Sequence, residues 1–495
     1  MSGAESDHSP IGRRSVLKMA GATAIAAGLS RSQSALARSD ANAPFADKVL
    51  DIAVIGAGLA GLTAARDLQA AGCSSFVVLE ARNRVGGRTL NWDAGDGHFS
   101  EVGGQWIGPG QTAIADLARQ LGIGTFPTYY KGKTVVLSGD SMIAVDLDGA
   151  FGTDPALEKE LSELSRDVPC GAPWTSPRLA ELDKLSIGDW LAGHQIRPED
   201  RMGWQSSISL SGGTPPARMG LLHYLSMINS AESDFTQLDG IKGSAQETRI
   251  VGGSQALAIR MAEELGDHVR LGAPVRRIRG WNGDVVRIET DSGTVRARQI
   301  IVALSPPLCN QIEYDPPLPA ARASLHEAWP AHSPGRKTAM VYARPFWREK
   351  GLNGHIFLDG GPIVWAYDNS PENAEIGIIN AFVRNGSIPL EAEAARRVHT
   401  EIYAKALGEE ALHPLAYHDH DWGQEDPWTI TCVSAIPPGF WSLHGAALRP
   451  SCGRLIWSGT ETAEIWAGYM DGAVRSGHKA ALQALNCLRN LQGVS

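Results

Sequence analysis

Four residues near position 60 have the types and spacing to hold a dinucleotide: Gly56, Gly58 and Gly61 in a Gly-x-Gly-x-x-Gly run, and Glu80 nineteen residues past the last glycine. Each glycine has its own task. Gly56 permits a tight turn, Gly58 lets the backbone approach a pyrophosphate, and Gly61 lets the following helix pack close to the preceding strand. The phosphates then meet the positive end of that helix. Glu80 stands where a carboxylate can accept hydrogen bonds from ribose hydroxyls. The elements needed to position these residues are legible too: an apolar run ending Val54-Ile55 reads as a buried parallel strand, and Phe76 to Leu79 as a second strand delivering Glu80. NAD and FAD fit this much equally well.

The discriminating segment is Val85-Gly86-Gly87-Arg88-Thr89, which follows Ala81-Arg82. It resembles the corresponding stretch of the glutathione-reductase-like flavoproteins, particularly the flavin amine oxidases. That resemblance implies FAD, with Arg82, Gly87 and Arg88 serving the cofactor. Gly103-Gly104-Gln105-Trp106, followed by a helical pattern from Thr112 to Leu121, is similar to the family segment that passes beside the flavin ring. It assigns Gly104, Gln105 and Trp106 to the cofactor.

Further along, Val275 is either the family's adenine-pairing valine or a plain core strand residue. Lys337 lies eight residues before Pro345-Phe346-Trp347, the family spacing of a lysine that holds a water against the reactive flavin nitrogen. Ser458-Gly459-Thr460-Glu461-Thr462 and Trp466-Ala467-Gly468-Tyr469-Met470 resemble the C-terminal flavin motif of monoamine oxidases. There Glu461, Trp466 and Met470 belong to the cofactor, as does Trp428 upstream. A helix starting near Met470 would turn its dipole toward the flavin pyrimidine. Tyr469 becomes one wall of an aromatic cage, and Gln246 is assigned to the substrate.

The sequence also departs from the family. Covalent monoamine oxidases carry a flavin-linking cysteine and a second cage tyrosine six and five residues before Pro437; here those places hold Thr431 and Cys432. Non-covalent FAD and a half-cage are expected. Cys432 either opens space for a bulky or cyclic amine beside Tyr469 or is a buried structural thiol.

The resemblance spans most of residues 48 to 490. It implies an α/β fold in which a glutathione-reductase-like Rossmann FAD-binding domain (48–124, 250–325 and 425–487) is interleaved with an α+β substrate domain (125–249 and 326–424). From 125 to 249 the strand pattern dissolves into helical and loop sequence. The expected reaction is FAD-dependent oxidation of an amine by hydride transfer, giving an imine that water hydrolyses to an aldehyde or ketone, with Lys337, Tyr469 and Cys432 as the catalytic set. An apolar cage favours the neutral amine by penalising its cation. An L-amino-acid oxidase, a carotenoid-type desaturase or isomerase, and a flavin-binding protein without catalysis are the rival readings.

Length and composition agree with a globular chain of two or three domains: 495 residues, 43% hydrophobic and 20% charged. The net charge of −9 argues against nucleic acid and against a polybasic membrane anchor. Partners are a small amine and an acceptor, either dioxygen or a c-type cytochrome-like carrier, with room left for a homodimer.

Residues 1–37 read as a twin-arginine signal peptide, with Arg13-Arg14, an apolar stretch from Met19 to Leu29 that is too short to span a membrane, and Ala35-Leu36-Ala37 as the cleavage pattern. The expected destination is periplasmic or extracellular, and cleavage would take the net charge to −11 by removing four basic and two acidic residues. His418, His420 and Asp421 lie near one another on a strand-like run, but without a distant fourth ligand they read as a polar strand face, and no metal is assigned. The six cysteines show no Cys-x-x-Cys spacing.

Overall fold

A computed structural model describes residues 48–147, 153–238, 240–331, 335–384, 386–424, 427–429 and 435–491. The twin-arginine segment, Thr431 and Cys432 lie outside the described residues.

An eight-stranded sheet is built around Val49–Ile55, which runs parallel to Phe76–Leu79 on one side and to Gly293–Val302 on the other. Val269–Arg270 extends the first side, and Leu455–Trp457 joins Gly293–Val302 in parallel. An antiparallel layer, Val286–Thr290 and Val275–Arg279, leads to Glu313–Asp315 at the far edge.

Alternation along the central strands explains why the sheet is covered on both faces. Ile52, Val54, Phe76, Val78, Ile301 and Ile456 point into one core, closed by the helices Leu59–Ala70, Thr112–Gln120, Gln255–Leu265 and Met470–Leu491. Ala53, Ile55, Val77, Leu79, Ile300 and Val302 point into the other, against Ile278, Ile288, Cys309 and Trp457. The chain thus has the α/β architecture that its nucleotide motif implies.

A second, seven-stranded sheet has the order Ala416–Asp421, Arg336–Tyr342, Gly377–Val383, Ile363–Asp368, Leu352–Leu358, Lys133–Ser138, Ser141–Val145. The last two strands form a hairpin that the sequence reading passed over as part of a helical and loop region. Ser141–Val145 is largely exposed, so it lacks the apolar alternation that marks a half-buried strand. A helical cluster fills the remainder. Pro155–Ser165, Arg201–Gly212 and Leu221–Ser230 bury Leu161, Trp204, Ile208, Tyr224 and Ile228 together with Leu325, Trp329, Phe440, Trp441 and Trp466. Residues 436–448, grouped by sequence with the nucleotide-binding part, therefore pack with the helices. Asp183 helps hold them there, its carboxylate accepting from the Ser442 backbone at 2.8 Å and hydroxyl at 2.6 Å.

His418 and His420 do share one face of the Ala416–Asp421 strand. His418 stacks on Trp92 at 4.8 Å, and His420 meets Trp422 edge-on at 4.4 Å. Among the described residues no group of three or more His, Cys, Asp or Glu could hold a metal. The five described cysteines are free thiols, and no described helix is long and apolar enough to cross a membrane.

The first turn of Leu59–Ala70 depends on Gly61, where an added Cβ would overlap the Gly56 carbonyl oxygen and lie 3.2 Å from the Ala303 Cβ. Gly61→Ala is therefore expected to cost about 1–3 kcal/mol of stability through overpacking and to lower flavin content. Thermal unfolding and the flavin-to-protein absorbance ratio check both; unchanged values would show that the helix can retreat freely.

Candidate active site

One cavity of about 750 Å³ runs from the Gly56–Leu59 turn, past Glu80 and Val275, to a chamber lined by Gln105, Trp106, Gln246, Lys337, Phe382 and Tyr469. Its first half is built from backbone. Gly56 has φ +102°, and a Cβ there would sit 2.7 Å from the Ala303 carbonyl oxygen. Gly58 caps Leu59–Ala70 without any side-chain hydrogen bond, and that helix has no acid in its first turn. Its leading amide donors are thus left to whatever occupies the cavity. Gly87 comes so near that its Cβ would lie 3.3 Å from the Gly58 Cα.

This is a cradle that only glycines leave open, at the positive end of a helix, and a diphosphate fits it. Buried Glu80 accepts from Ala57 N at 2.7 Å and Arg82 N at 3.0 Å, which aims the carboxylate along the cavity wall. A buried carboxylate so placed suits a ribose diol.

Arg88 and Glu461 converge from opposite ends of the chain and pair in a fork at 2.7 and 3.2 Å. Both were expected at the diphosphate; together they make one neutral, rigid wall there. Arg82 reaches Thr429 Oγ1 at 2.5 Å. Trp428 lines the cavity with the Arg276 guanidinium 5.2 Å above its ring. Gly104 leaves room for Met470, whose Cγ would be 3.6 Å from an added Cβ. Met470 opens the long C-terminal helix, Met470–Leu491.

Lys337 lies on Arg336–Tyr342, a strand buried along its whole length. Only 3% exposed, it is no solvated edge lysine. Its Nζ donates to the Gly103 carbonyl at 3.0 Å and to Gln105 Oε1. It also sits 5.1 to 5.6 Å from the ring centres of Phe382, Trp106 and Tyr367. Burial holds the Tyr367 hydroxyl well above the usual phenol range, so it remains a donor, and it gives its proton to Gln105 Oε1 at 2.8 Å. The Gln105 amide oxygen is therefore committed to protein partners.

Tyr469 is held at both ends: its hydroxyl donates to Leu238 O at 2.8 Å, and its ring meets Trp466 edge-on at 5.0 Å. Trp466 itself needs correcting as a cofactor residue. Its backbone turns through φ +53° and sends the indole into the helical core, 1% exposed, away from the cavity. Trp466 supports Tyr469 instead. Gln246 lines the chamber, its Oε1 accepting from Gly240 N at 3.1 Å.

Sequence reasoning missed Tyr367 and Phe382, and with them Trp365, which stacks behind Trp106 at 5.6 Å. The alternation Trp365-Ala366-Tyr367 was the available signal, since period 2 puts both rings on one strand face. It also missed Glu464, which with the expected Glu80 and Glu461 makes up the carboxylates lining the cavity among the described residues. Glu464 is engaged by Lys479 at 2.5 Å.

Comparison with known proteins agrees with this construction. The family model for flavin containing amine oxidoreductase matches residues 59–485. Putrescine oxidase of Kocuria rosea is 36% identical over 465 residues, covering 88% of this chain and 95% of that protein. The solved structure of a wild-type putrescine oxidase bound to putrescine superimposes with a TM-score of 0.81 at 33% identity, over 89% of this chain and 99% of the other. Cyclohexylamine oxidase from Brevibacterium oxydans IH-35A gives 0.82 at 29% identity, over 89% and 100%. A glycine cradle fit for FAD, leading into an aromatic chamber with a buried lysine, and a family match across most of the sequence lead to one conclusion: the chain belongs to the flavin-containing amine oxidoreductases and carries out the FAD-dependent oxidation of an amine.

Proposed function

We propose that the substrate is a monoamine with a bulky apolar body, bound neutral in the chamber between Tyr469 and Lys337, with FAD held non-covalently. The observation that carries this reading is the chamber wall. Trp106, Phe382 and Tyr469 supply aromatic surface, while the lining carboxylates among the described residues are spent at the nucleotide end or on Lys479. A second ammonium on a diamine would need a carboxylate to replace its lost hydration, whereas an apolar amine needs only displaced water. The same walls disfavour a charged amine, which keeps the nitrogen lone pair available.

FAD, when bound, takes up the hydride from the carbon next to nitrogen. The protein's task is to orient that carbon, with Tyr469 as a fixed wall and Lys337 holding a water toward the reactive end of the cofactor. Loss of the hydride and a nitrogen-bound proton leaves an imine, which water converts to an aldehyde or ketone and ammonia or a smaller amine. The electrons pass on to dioxygen or to a soluble carrier.

Non-covalent attachment is supported by Thr431 at the position where a linking thiol would stand. Export is supported by Arg13-Arg14 and Ala35-Leu36-Ala37, a route that moves folded proteins and suits an enzyme that loads FAD beforehand.

Acid precipitation is expected to release the flavin into the supernatant; yellow peptides in the pellet would overturn the non-covalent reading. Anaerobic stopped-flow reduction should be faster with cyclic and arylalkyl monoamines than with diamines of equal length, and the reverse order would sink the monoamine assignment. Tyr469→Ala is expected to slow that reduction about 10- to 100-fold, roughly 1.4 to 2.8 kcal/mol of transition-state stabilisation, with flavin content unchanged. Fractionation of cells making the full chain should place the enzyme outside the cytoplasm, and Arg13→Lys with Arg14→Lys should retain it; equal export of both would refute the twin-arginine route.

A further inference from the structure

The motif Glu101-Val-Gly-Gly-Gln-Trp106 opens on a residue that the chemistry above leaves unused, a fully buried acid. Glu101 is 0% exposed and paired with Arg249 at 2.7 Å. Between this carboxylate and the Lys337 ammonium stand two amides, and the direction of every hydrogen bond is forced. Lys337 Nζ can only donate, and Gln105 Oε1 accepts from it and from Tyr367. Gln105 Nε2 must then face away, and it donates to Asn369 Oδ1 at 2.7 Å. Asn369 Nδ2 in turn donates to Glu101 Oε2 at 3.1 Å and to Ser100 Oγ at 3.0 Å. An ionised carboxylate can only accept. The dipoles of Gln105 and Asn369 thus align head to tail from a cation to an anion, and each bond polarises the next in a region closed to water.

We infer that Gln105, Asn369 and Glu101 are positioning residues for Lys337, a polarised relay that fixes where its ammonium points in front of the cofactor. The three come from two distant places in the chain, Glu101 and Gln105 from the segment after the nucleotide motif and Asn369 from the residue after Ile363–Asp368. The relay also ties the chamber floor to the second sheet, since the Asn380 side chain donates to Glu101 O at 2.9 Å and accepts from Ser100 Oγ at 2.8 Å. Arg249 pairs with the carboxylate at 2.7 Å and anchors on Ser370 O at 2.8 Å, which holds the acid end of the relay in place. Among the three rings around Nζ, the relay selects one direction for the ammonium.

This inference rests on the proposed role of Lys337 beside the flavin, and a double-mutant cycle separates the two. Flavin reduction by one amine is followed anaerobically in the FAD-loaded wild type, Lys337→Met, Asn369→Leu and the double variant. Asn369→Leu is expected to slow reduction about tenfold in the wild type and less than twofold in the Lys337→Met background, because the relay acts only through the ammonium. Should Asn369→Leu fail to yield loaded protein, Gln105→Met, which keeps length and removes the side-chain amide, takes its place in the same cycle with the same expectation. Equal slowing in both backgrounds, or none in the wild type, would overturn the relay and leave these residues as scaffold. If Lys337→Met alone leaves reduction untouched, the lysine reading and the relay fall together.

Discussion

The backbone crossing at Gly56, Gly58 and Gly61 is the constraint on which the remainder of the molecule rests. Three chain segments meet there at distances that exclude side chains: the turn itself, Ala303 at the end of the long central strand, and Gly87 from the loop after the ribose acid. The strand-to-helix turn sets the angle of Leu59–Ala70, and that helix presents its uncapped amides to the cavity. Adding one methyl group at Gly56 or Gly61 would press on Ala303, which lies far away along the chain. A cofactor site with such tolerances is made of backbone, so its shape is insensitive to rotamer changes.

The second organising interaction is electrostatic and lies at the opposite end of the cavity. Burying a lysine ammonium is costly unless it finds acceptors and a distant balancing charge. Here the acceptors are a backbone carbonyl and an amide, the surrounding faces are aromatic, and the Glu101 carboxylate, itself paired with Arg249, is joined to the lysine through two amides. The arrangement ties the seven-stranded sheet to the segment after the nucleotide motif and to the strand Thr248–Ile250, because its members are drawn from all three. The chamber is therefore a joint between two structural bodies, and amine and cofactor meet where neither body alone would enclose them.

Tyr469 illustrates how the helical cluster contributes without supplying the chemistry. Trp466 is driven into a left-handed backbone conformation, a costly geometry for a tryptophan, and it is held there by burial in the same core as Phe440 and Trp441. The result is a tyrosine whose ring plane is set by a neighbour and whose hydroxyl is tethered to Leu238. A wall fixed in this way can discriminate between amine shapes, which a mobile side chain could not do.

Local chemistry determined the nucleotide half of this protein from sequence alone. Glycine spacing, apolar strand runs and an acid at a fixed distance all act over tens of residues, so the turn around Gly56, the strand before Glu80 and the helix from Met470 were legible, as was the lysine eight residues before Pro345. Only the tertiary structure decided the partners: that Arg88 pairs with Glu461, that Trp466 turns away into the helices, that Tyr367 and Phe382 close around Lys337, and that Glu101 answers it through two amides. The physical reason is sequence separation. A hydrogen bond between Gln105 and Asn369 spans 264 residues and leaves no periodic trace in either segment. The hairpin at 133–145 escaped for a related reason, since its outer strand faces solvent and carries no hydrophobic rhythm to betray it.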